Sequence, residues 1–243
     1  MAMHYHIEIR PKTLYFKKPA GTSRGTYTER KSWYICLTAE ETPGRQGIGE
    51  CAPLPKLSCD DVPGYEEVLA KACQNYTRTG RINVDELRDY PSILFGLETA
   101  IRHFEAGSFA LWDTPFSRGE TGIPINGLVW MGSYEEMLKQ AADKIKSGFR
   151  CIKLKIGAID FDKELEILRI IRKQFSSDEI ELRVDANGAF SPNEAMTKLN
   201  RLAELDLHSI EQPIRAGQWD EMALLAASSP VPIALDEELI GCN

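Results

Sequence analysis

The second half of this 243-residue chain repeats one pattern: a short apolar stretch followed by a helical stretch. The pattern returns about every 25 to 30 residues. Connections of that length hold a helix and force neighbouring strands to run parallel. Such strands form either an open doubly wound sheet or a (β/α)8 barrel. The first turn of the repeat reads MGSYEE and lacks the glycine fingerprints of nucleotide-binding sheets, which favours the barrel.

Five strands and three helices are predicted in this half. The strand candidates are residues 123–129, 151–156, 181–186, 209–214 and 232–237. The helix candidates are a stretch that opens with a capping box at Ser133 and Glu136 and ends near Gly148, and residues 162–174 and 192–205. The fold class is therefore α/β, and residues 121–243 are predicted to hold about five of the eight strands of a TIM-type barrel.

The first half, residues 1–120, has strands first and helices afterwards, which predicts a separate α+β domain. Its strand candidates are residues 6–10 and 14–17 and a hairpin of residues 32–38 with 47–51. Residues 64–76 and 92–109 have helical periodicity, and the composition of residues 21–28 predicts a flexible loop.

Charged side chains gather where the predicted barrel strands end. The residues concerned are Lys153, Lys155, Asp185, Asn187, Glu211 and Asp236. Barrel enzymes assemble their active sites at this edge, so we expect these side chains to meet. Each short motif is common alone, and the prediction depends on their occurrence in order on successive strands.

The three carboxylates, Asp185, Glu211 and Asp236, would repel one another at one barrel mouth unless a cation neutralised them. Oxygen ligands with positions left for substrate favour Mg2+, with Mn2+ as the alternative. Zinc would call for histidine or cysteine, and none of the four histidines ends a predicted strand.

Lys153 and Lys155 are two residues apart on one strand, so their side chains share a face. Repulsion and burial are expected to lower their pKa values, which would make a lysine usable as a general base. A solvated, lysine-rich strand end is the simpler reading of such a pair taken alone.

The motifs KLK, RVDANGAF, IEQPI and ALDEE together resemble the enolase superfamily, in its branch of muconate-lactonising enzymes. The resemblance implies Lys155 as the acid/base, Lys153 as its helper, and the three carboxylates as Mg2+ ligands. It also implies that Asn187 orients substrate or metal, and that the first domain caps the site.

Two further segments, KKPAGTSRGTYTERKSWYI and GIGECAPLPKLS, resemble the o-succinylbenzoate synthase family of menaquinone biosynthesis. This resemblance implies a carbon–oxygen lyase that removes a proton next to a carboxylate and then loses water. Ser23 and Arg24 are candidate substrate-binding residues, because an arginine can bind a dianion through paired hydrogen bonds.

Composition narrows the expected partners. A net charge of −7 argues against nucleic acid, and the sequence shows no signal peptide and no apolar run long enough to cross a bilayer. We therefore expect a cytoplasmic enzyme that acts on a small-molecule carboxylate without a membrane partner, and a homo-oligomer stays open. The six cysteines are scattered and are expected to be reduced.

Five strand units are fewer than a closed barrel needs, so we expect that roughly 75 to 100 residues of the parent barrel are missing. The resemblance implies that these include a second lysine opposite the KLK pair. Two alternatives to the dehydratase stay open: a dipeptide or N-acyl amino acid epimerase, which needs that second lysine, and an inactive fragment with a vestigial metal site.

Overall fold

A computed structural model describes residues 3–22 and 25–242 of the chain. The chain divides into two compact units, Met1–Ile123 and Pro124–Cys242. Within the described residues, no helix is both long enough and apolar enough to span a bilayer.

The first unit contains a three-stranded antiparallel sheet in the order β1–β2–β3. Its strands are β1 (Tyr5–Thr22), β2 (Gly25–Ala39) and β3 (Gln46–Cys51). Side chains in the second half of β2 alternate between core and solvent. The predicted hairpin of residues 32–38 with 47–51 is present, because β2 pairs with β3 in antiparallel register.

The stretches expected as strands, residues 6–10 and 14–17, both lie in one long strand, β1, whose register shifts only between Tyr15 and Ala20. One prediction for this sheet is wrong. The loop expected at residues 21–28 is absent from the described part, because each described residue of that segment lies in β1 or β2.

Two helices, α1 (Tyr65–Thr79) and α2 (Pro91–Ala106), complete the first unit close to their predicted positions. Glycines bring α2 and β3 into close contact: a Cβ atom added to Gly49 would lie 1.8 Å from the carbonyl oxygen of Gly96. The core of the unit, which includes Leu97, fills the space between the sheet and these helices.

The second unit is built on five parallel strands in sequential order, as predicted. They are β4 (Gly127–Val129), β5 (Cys151–Lys155), β6 (Glu181–Asp185), β7 (Ser209–Glu211) and β8 (Ile233–Ala234). The sheet with its helices is a partial (β/α) barrel, which confirms the predicted fold class. Each strand is shorter than its predicted range: β5, β6 and β7 end earlier, β4 begins later, and β8 is shorter at both ends.

Four helices connect these strands. They are α3 (Tyr134–Lys146), α4 (Phe161–Gln174), α5 (Pro192–Ala203) and α6 (Trp219–Ser228). The predicted capping box of α3 is present: Ser133 Oγ accepts from the Glu136 amide at 3.3 Å, and the Glu136 carboxylate accepts from the Ser133 amide at 2.8 Å. Helix α6 was not predicted.

Strand register aligns the chemical groups. Lys155 of β5 is paired with Asp185 of β6, and Asp185 with Glu211 of β7. Residues that pair directly across parallel strands project from the same face. The sheet therefore presents a lysine and two carboxylates in one row at its carboxyl edge.

Candidate active site

The two lysines of β5 lie among acceptors at the strand ends. Lys153 Nζ donates to Glu211 Oε2 at 2.6 Å and lies 3.2 Å from Asp185 Oδ2. Lys155 Nζ donates to Asp185 Oδ2 at 2.7 Å and to Asn187 Oδ1 at 2.9 Å. The structure thus brings together five of the six predicted strand-end residues.

Asp185 is the centre of this group. Its side chain is 0% exposed, and both lysine ammonium groups contact one of its oxygens. Its other oxygen accepts the backbone N–H of Asn187 at 3.0 Å. Burial alone would raise the pKa of Asp185, but the hydrogen bond from Lys155 and the charges of both lysines outweigh burial and lower it.

Glu211 has the opposite shift. Burial raises its pKa, and the nearby charge of Asp185 adds to this effect, so the hydrogen bond from Lys153 is outweighed. When two neighbouring carboxylates interact strongly, their pKa values move apart, because ionisation of the first opposes ionisation of the second.

The predicted lowering of the Lys153 pKa is wrong in this structure. Burial lowers the pKa of Lys153, but the hydrogen bond from its ammonium to Glu211 and the charges of Asp185 and Glu211 outweigh burial and raise it. The sequence argument counted the repulsion between the lysines and gave too little weight to the carboxylates that face them.

Asn187 joins Lys155 to Glu237, a strand-end residue to which sequence reasoning assigned no role. Its Nδ2 donates to Glu237 Oε1 at 3.0 Å, while its Oδ1 accepts from Lys155. Asn187 has a φ of 43°, in the left-handed region that asparagine tolerates better than most residues. This backbone turn directs the side chain back across the strand ends.

Asp236 is placed differently from the other predicted ligands. It is exposed, and within the described residues its carboxylate has no hydrogen bond or ion pair. Its backbone is fixed, because its N–H donates to Gln212 Oε1 at 3.1 Å. The structure therefore positions the main chain of Asp236 without joining its carboxylate to Asp185 or Glu211.

A buried pair, Gln212 and Glu238, provides that fixation. Gln212 Oε1 accepts the N–H groups of Asp236 and Glu238, and its Nε2 donates to Glu238 Oε2 at 3.1 Å. Glu238 Oε1 in turn accepts the N–H of Gly217 at 2.8 Å. The pair ties the end of β7 to the segment that follows β8, and sequence reasoning assigned no role to either residue.

Trp130, at the end of β4, also borders the lysines. Lys155 Nζ lies 5.5 Å from the centre of its ring, within cation–π range. An aromatic residue that directly follows a barrel strand was the available signal, and it was overlooked.

The donor set suits a hard divalent cation. Asp185, Glu211 and Asp236 offer only carboxylate oxygens, while His208 is exposed and precedes β7. In the part of the chain that the structure describes, no three acidic, histidine or cysteine side chains are already gathered as a metal site. The positive charge that faces Asp185 and Glu211 comes from Lys153, which contacts both, and from Lys155, which contacts Asp185. The three-ligand assignment stays a prediction.

The two predicted substrate contacts in the first unit, Ser23 and Arg24, lie outside the described residues. Their assignment also stays a prediction.

The sequence matches two known families. Residues 136–243 match the enolase C-terminal domain-like family, and residues 22–104 match the MenC N-terminal domain family. The second unit is therefore of the enolase type, which is the class that its strand order and its row of lysines and carboxylates define.

Two proteins and one crystal structure illustrate what the chain is similar to. The o-succinylbenzoate synthase of Desulfotalea psychrophila is 42% identical, over 97% of this chain and 72% of that protein. A crystal structure of MenC from the same organism has a TM-score of 0.77 at 36% identity, over 99% of this chain and 73% of that one. The L-Ala-D/L-Glu epimerase of Bacillus subtilis is 31% identical, over 91% of this chain and 63% of that protein.

An o-succinylbenzoate synthase structure from Thermosynechococcus elongatus, with magnesium in its active site, has a TM-score of 0.74 at 24% identity. It covers 95% of this chain and 68% of that one, and it shows a shared fold. The chain belongs to the o-succinylbenzoate synthase family of the enolase superfamily, which confirms the resemblance found in its motifs.

Proposed function

We propose that this protein is an Mg2+-dependent dehydratase that forms o-succinylbenzoate for menaquinone biosynthesis in the cytoplasm. The observation that carries the proposal is the row formed by Lys155, Asp185 and Glu211 across three paired strand ends. The 42% identity to a synthase of this name supports the choice of reaction.

Lys155 has the position to move the proton. As a neutral amine, its Nζ would accept the proton from the carbon next to the substrate carboxylate. The resulting ammonium, held by Asp185 and Asn187, would return that proton to the departing hydroxyl group, which leaves as water. The proton lost from carbon is therefore the proton gained by the leaving group, and Lys155 ends as it began.

The carboxylates would hold the cation. Asp185, Glu211 and Asp236 are the proposed ligands, and a bound divalent cation would acidify the neighbouring C–H bond by withdrawing charge from the substrate carboxylate. Lys153, whose ammonium contacts Asp185 and Glu211, would keep these carboxylates ionised and in place.

Substitution of the proposed base tests this assignment. Lys155→Ala should lower kcat for dehydration by at least about 100-fold, since one group serves as both base and acid. Its Mg2+ dissociation constant, measured by calorimetry, should stay close to that of the wild-type protein. Lys163→Ala, an exposed lysine of α4, is the matched control and should keep full turnover. Substantial turnover by Lys155→Ala would show that another group is the base.

Epimerisation is the second candidate, because the B. subtilis dipeptide epimerase is 31% identical to this chain. Removal of the same proton would begin that reaction, but a second group would have to return the proton on the opposite face. The wild-type protein should be assayed with the dehydration substrate and with a panel of dipeptides. Turnover of dipeptides alone would overturn the proposed dehydratase.

A further inference from the structure

Glu237 directly follows the predicted metal ligand Asp236, yet its carboxylate contacts Asn187. We propose that Glu237 is a positioning residue that holds the Asn187 amide in the one orientation that supports the Lys155 ammonium. The inference rests on the proposed function, because it gives Lys155 the role of acid and base.

The chemistry of the three groups fixes the amide. A lysine ammonium can only donate hydrogen bonds, and a carboxylate can only accept them. Asn187 lies between them, with Oδ1 2.9 Å from Lys155 Nζ and Nδ2 3.0 Å from Glu237 Oε1. Rotation of the amide by half a turn would break both hydrogen bonds and place like groups together.

The backbone of Asn187 is held without Glu237. Its N–H donates to Asp185 Oδ1 at 3.0 Å, and the following N–H, of Gly188, donates to the Gln212 carbonyl at 2.7 Å. Loss of the Glu237 carboxylate should therefore free the side-chain amide of Asn187 and leave the turn intact.

The surroundings of Glu237 differ from those of its neighbour Glu238. Both carboxylate oxygens of Glu238 accept hydrogen bonds that tie β7 to the segment after β8. Among the described residues, the Glu237 side chain has its hydrogen bond with Asn187, while its Oε2 is buried without a partner. A partly buried carboxylate with this single contact is better explained by what it does to Asn187 than by a role in joining strands.

Two variants separate hydrogen bonding from size. Glu237→Gln keeps an oxygen that can accept from Asn187, whereas Glu237→Met removes it at similar volume. We expect Glu237→Met to lower kcat by about tenfold, as outer-shell substitutions commonly do, with KM and the Mg2+ dissociation constant unchanged. Glu237→Gln should recover most of kcat, and Glu221→Met, on the exposed face of α6, should match the wild-type protein.

A double-mutant cycle tests whether Glu237 acts through Asn187. In an Asn187→Ala background, Glu237→Met should change kcat less than twofold, because the amide it positions is gone. An equal loss of kcat in both backgrounds would overturn the proposal.

The contact can also be measured without metal or substrate. The side-chain NH2 signals of Asn187, identified by their loss in Asn187→Ala, should shift in Glu237→Met and not in Glu221→Met. Unmoved signals would overturn the proposal whatever the kinetics. If the Asn187 signals shift in Glu237→Met as expected but the wild-type protein has no dehydratase turnover, the proposed function is overturned instead. The role of Glu237 in that reaction is then overturned with it.

Discussion

At the scale of single residues, charge balance explains how two lysine side chains can be partly buried together at the ends of the barrel strands. Lys153 and Lys155 together face Asp185 and Glu211, so two ammonium groups meet two carboxylates. Buried charges are tolerated when they are paired and hydrogen-bonded in this way.

Glu164 is a second buried carboxylate, and its pKa leads to a prediction about stability. It lies in α4, is 1% exposed, and its Oε1 accepts the backbone N–H of Gly157 at 2.7 Å, in the loop that follows Lys155. Among the residues that the structure describes, its Oε2 is buried without a partner. Burial raises the pKa of Glu164, and the three loop N–H groups and the charge of Lys198 oppose this rise without cancelling it.

A folded-state pKa above the unfolded one means that the folded protein holds the Glu164 proton more tightly. The stability that Glu164 contributes should therefore be complete below its unfolded pKa and fall as pH rises through the higher, folded pKa. Urea unfolding of the wild-type protein and Glu164→Gln, which cannot ionise, should be compared between pH 4 and 8. The wild-type free energy of unfolding should fall relative to that of the variant across this range. A relative rise would show that the loop N–H groups favour the charged form.

At the scale of elements, the repeat length predicted the parallel sheet because only a helical crossover fits that spacing. The predicted strand stretches, residues 6–10 and 14–17, leave Pro11 between them. The structure places β1 at the edge of its sheet, where proline costs no ladder bond on the open side. Edge position is a property of strand pairing, so it could not be obtained from the local pattern.

The candidate site was likewise predictable from the sequence only in part. Lys155, Asp185 and Glu211 could be predicted, because each ends its own strand and barrel topology brings strand ends together. Glu237 and Gln212 could not, since their roles depend on side-chain contacts with residues far away in the sequence.

The contact between β3 and α2 gives a prediction for an element. Gly49→Ala would place a methyl group against the backbone of Gly96, where the helix can yield only by moving as a whole. We expect a loss of about 3 kcal/mol or more in the free energy of unfolding, at the upper end of overpacking effects. Gly122→Ala is the matched control, because an added Cβ there meets no atom of the described part of the chain within 4 Å. Urea unfolding of both variants decides the matter, and equal stabilities would show that the contact is loose.

At the scale of the whole chain, each of the two units has its own buried core. The predicted metal ligands, Asp185, Glu211 and Asp236, all belong to Pro124–Cys242. A ligand that binds only the folded form stabilises the structure that contains its site. Metal binding should therefore stabilise this unit at the strand ends. A metal-dependent change in the rate of backbone hydrogen exchange should then locate the ligands.

Hydrogen exchange and Mg2+ binding of the wild-type protein and of a variant at Asp236 can test this prediction. Asp236 is the predicted ligand whose carboxylate has no partner among the described residues. Mg2+ at about 100 times its dissociation constant should stabilise the unit by about 2.7 kcal/mol and slow hydrogen exchange in residues 153–155, 185–187 and 234–238.

Asp236→Asn should fold normally, since it breaks no contact among the described residues, yet weaken Mg2+ binding by at least about tenfold, the lower end of outer-shell effects. Asp220→Asn, an exposed change in α6, should bind Mg2+ like the wild-type protein. Unweakened binding by Asp236→Asn would leave Asp185 and Glu211 as the metal ligands without Asp236. Failure of the wild-type protein to bind Mg2+ would contradict the metal site altogether and favour the vestigial alternative.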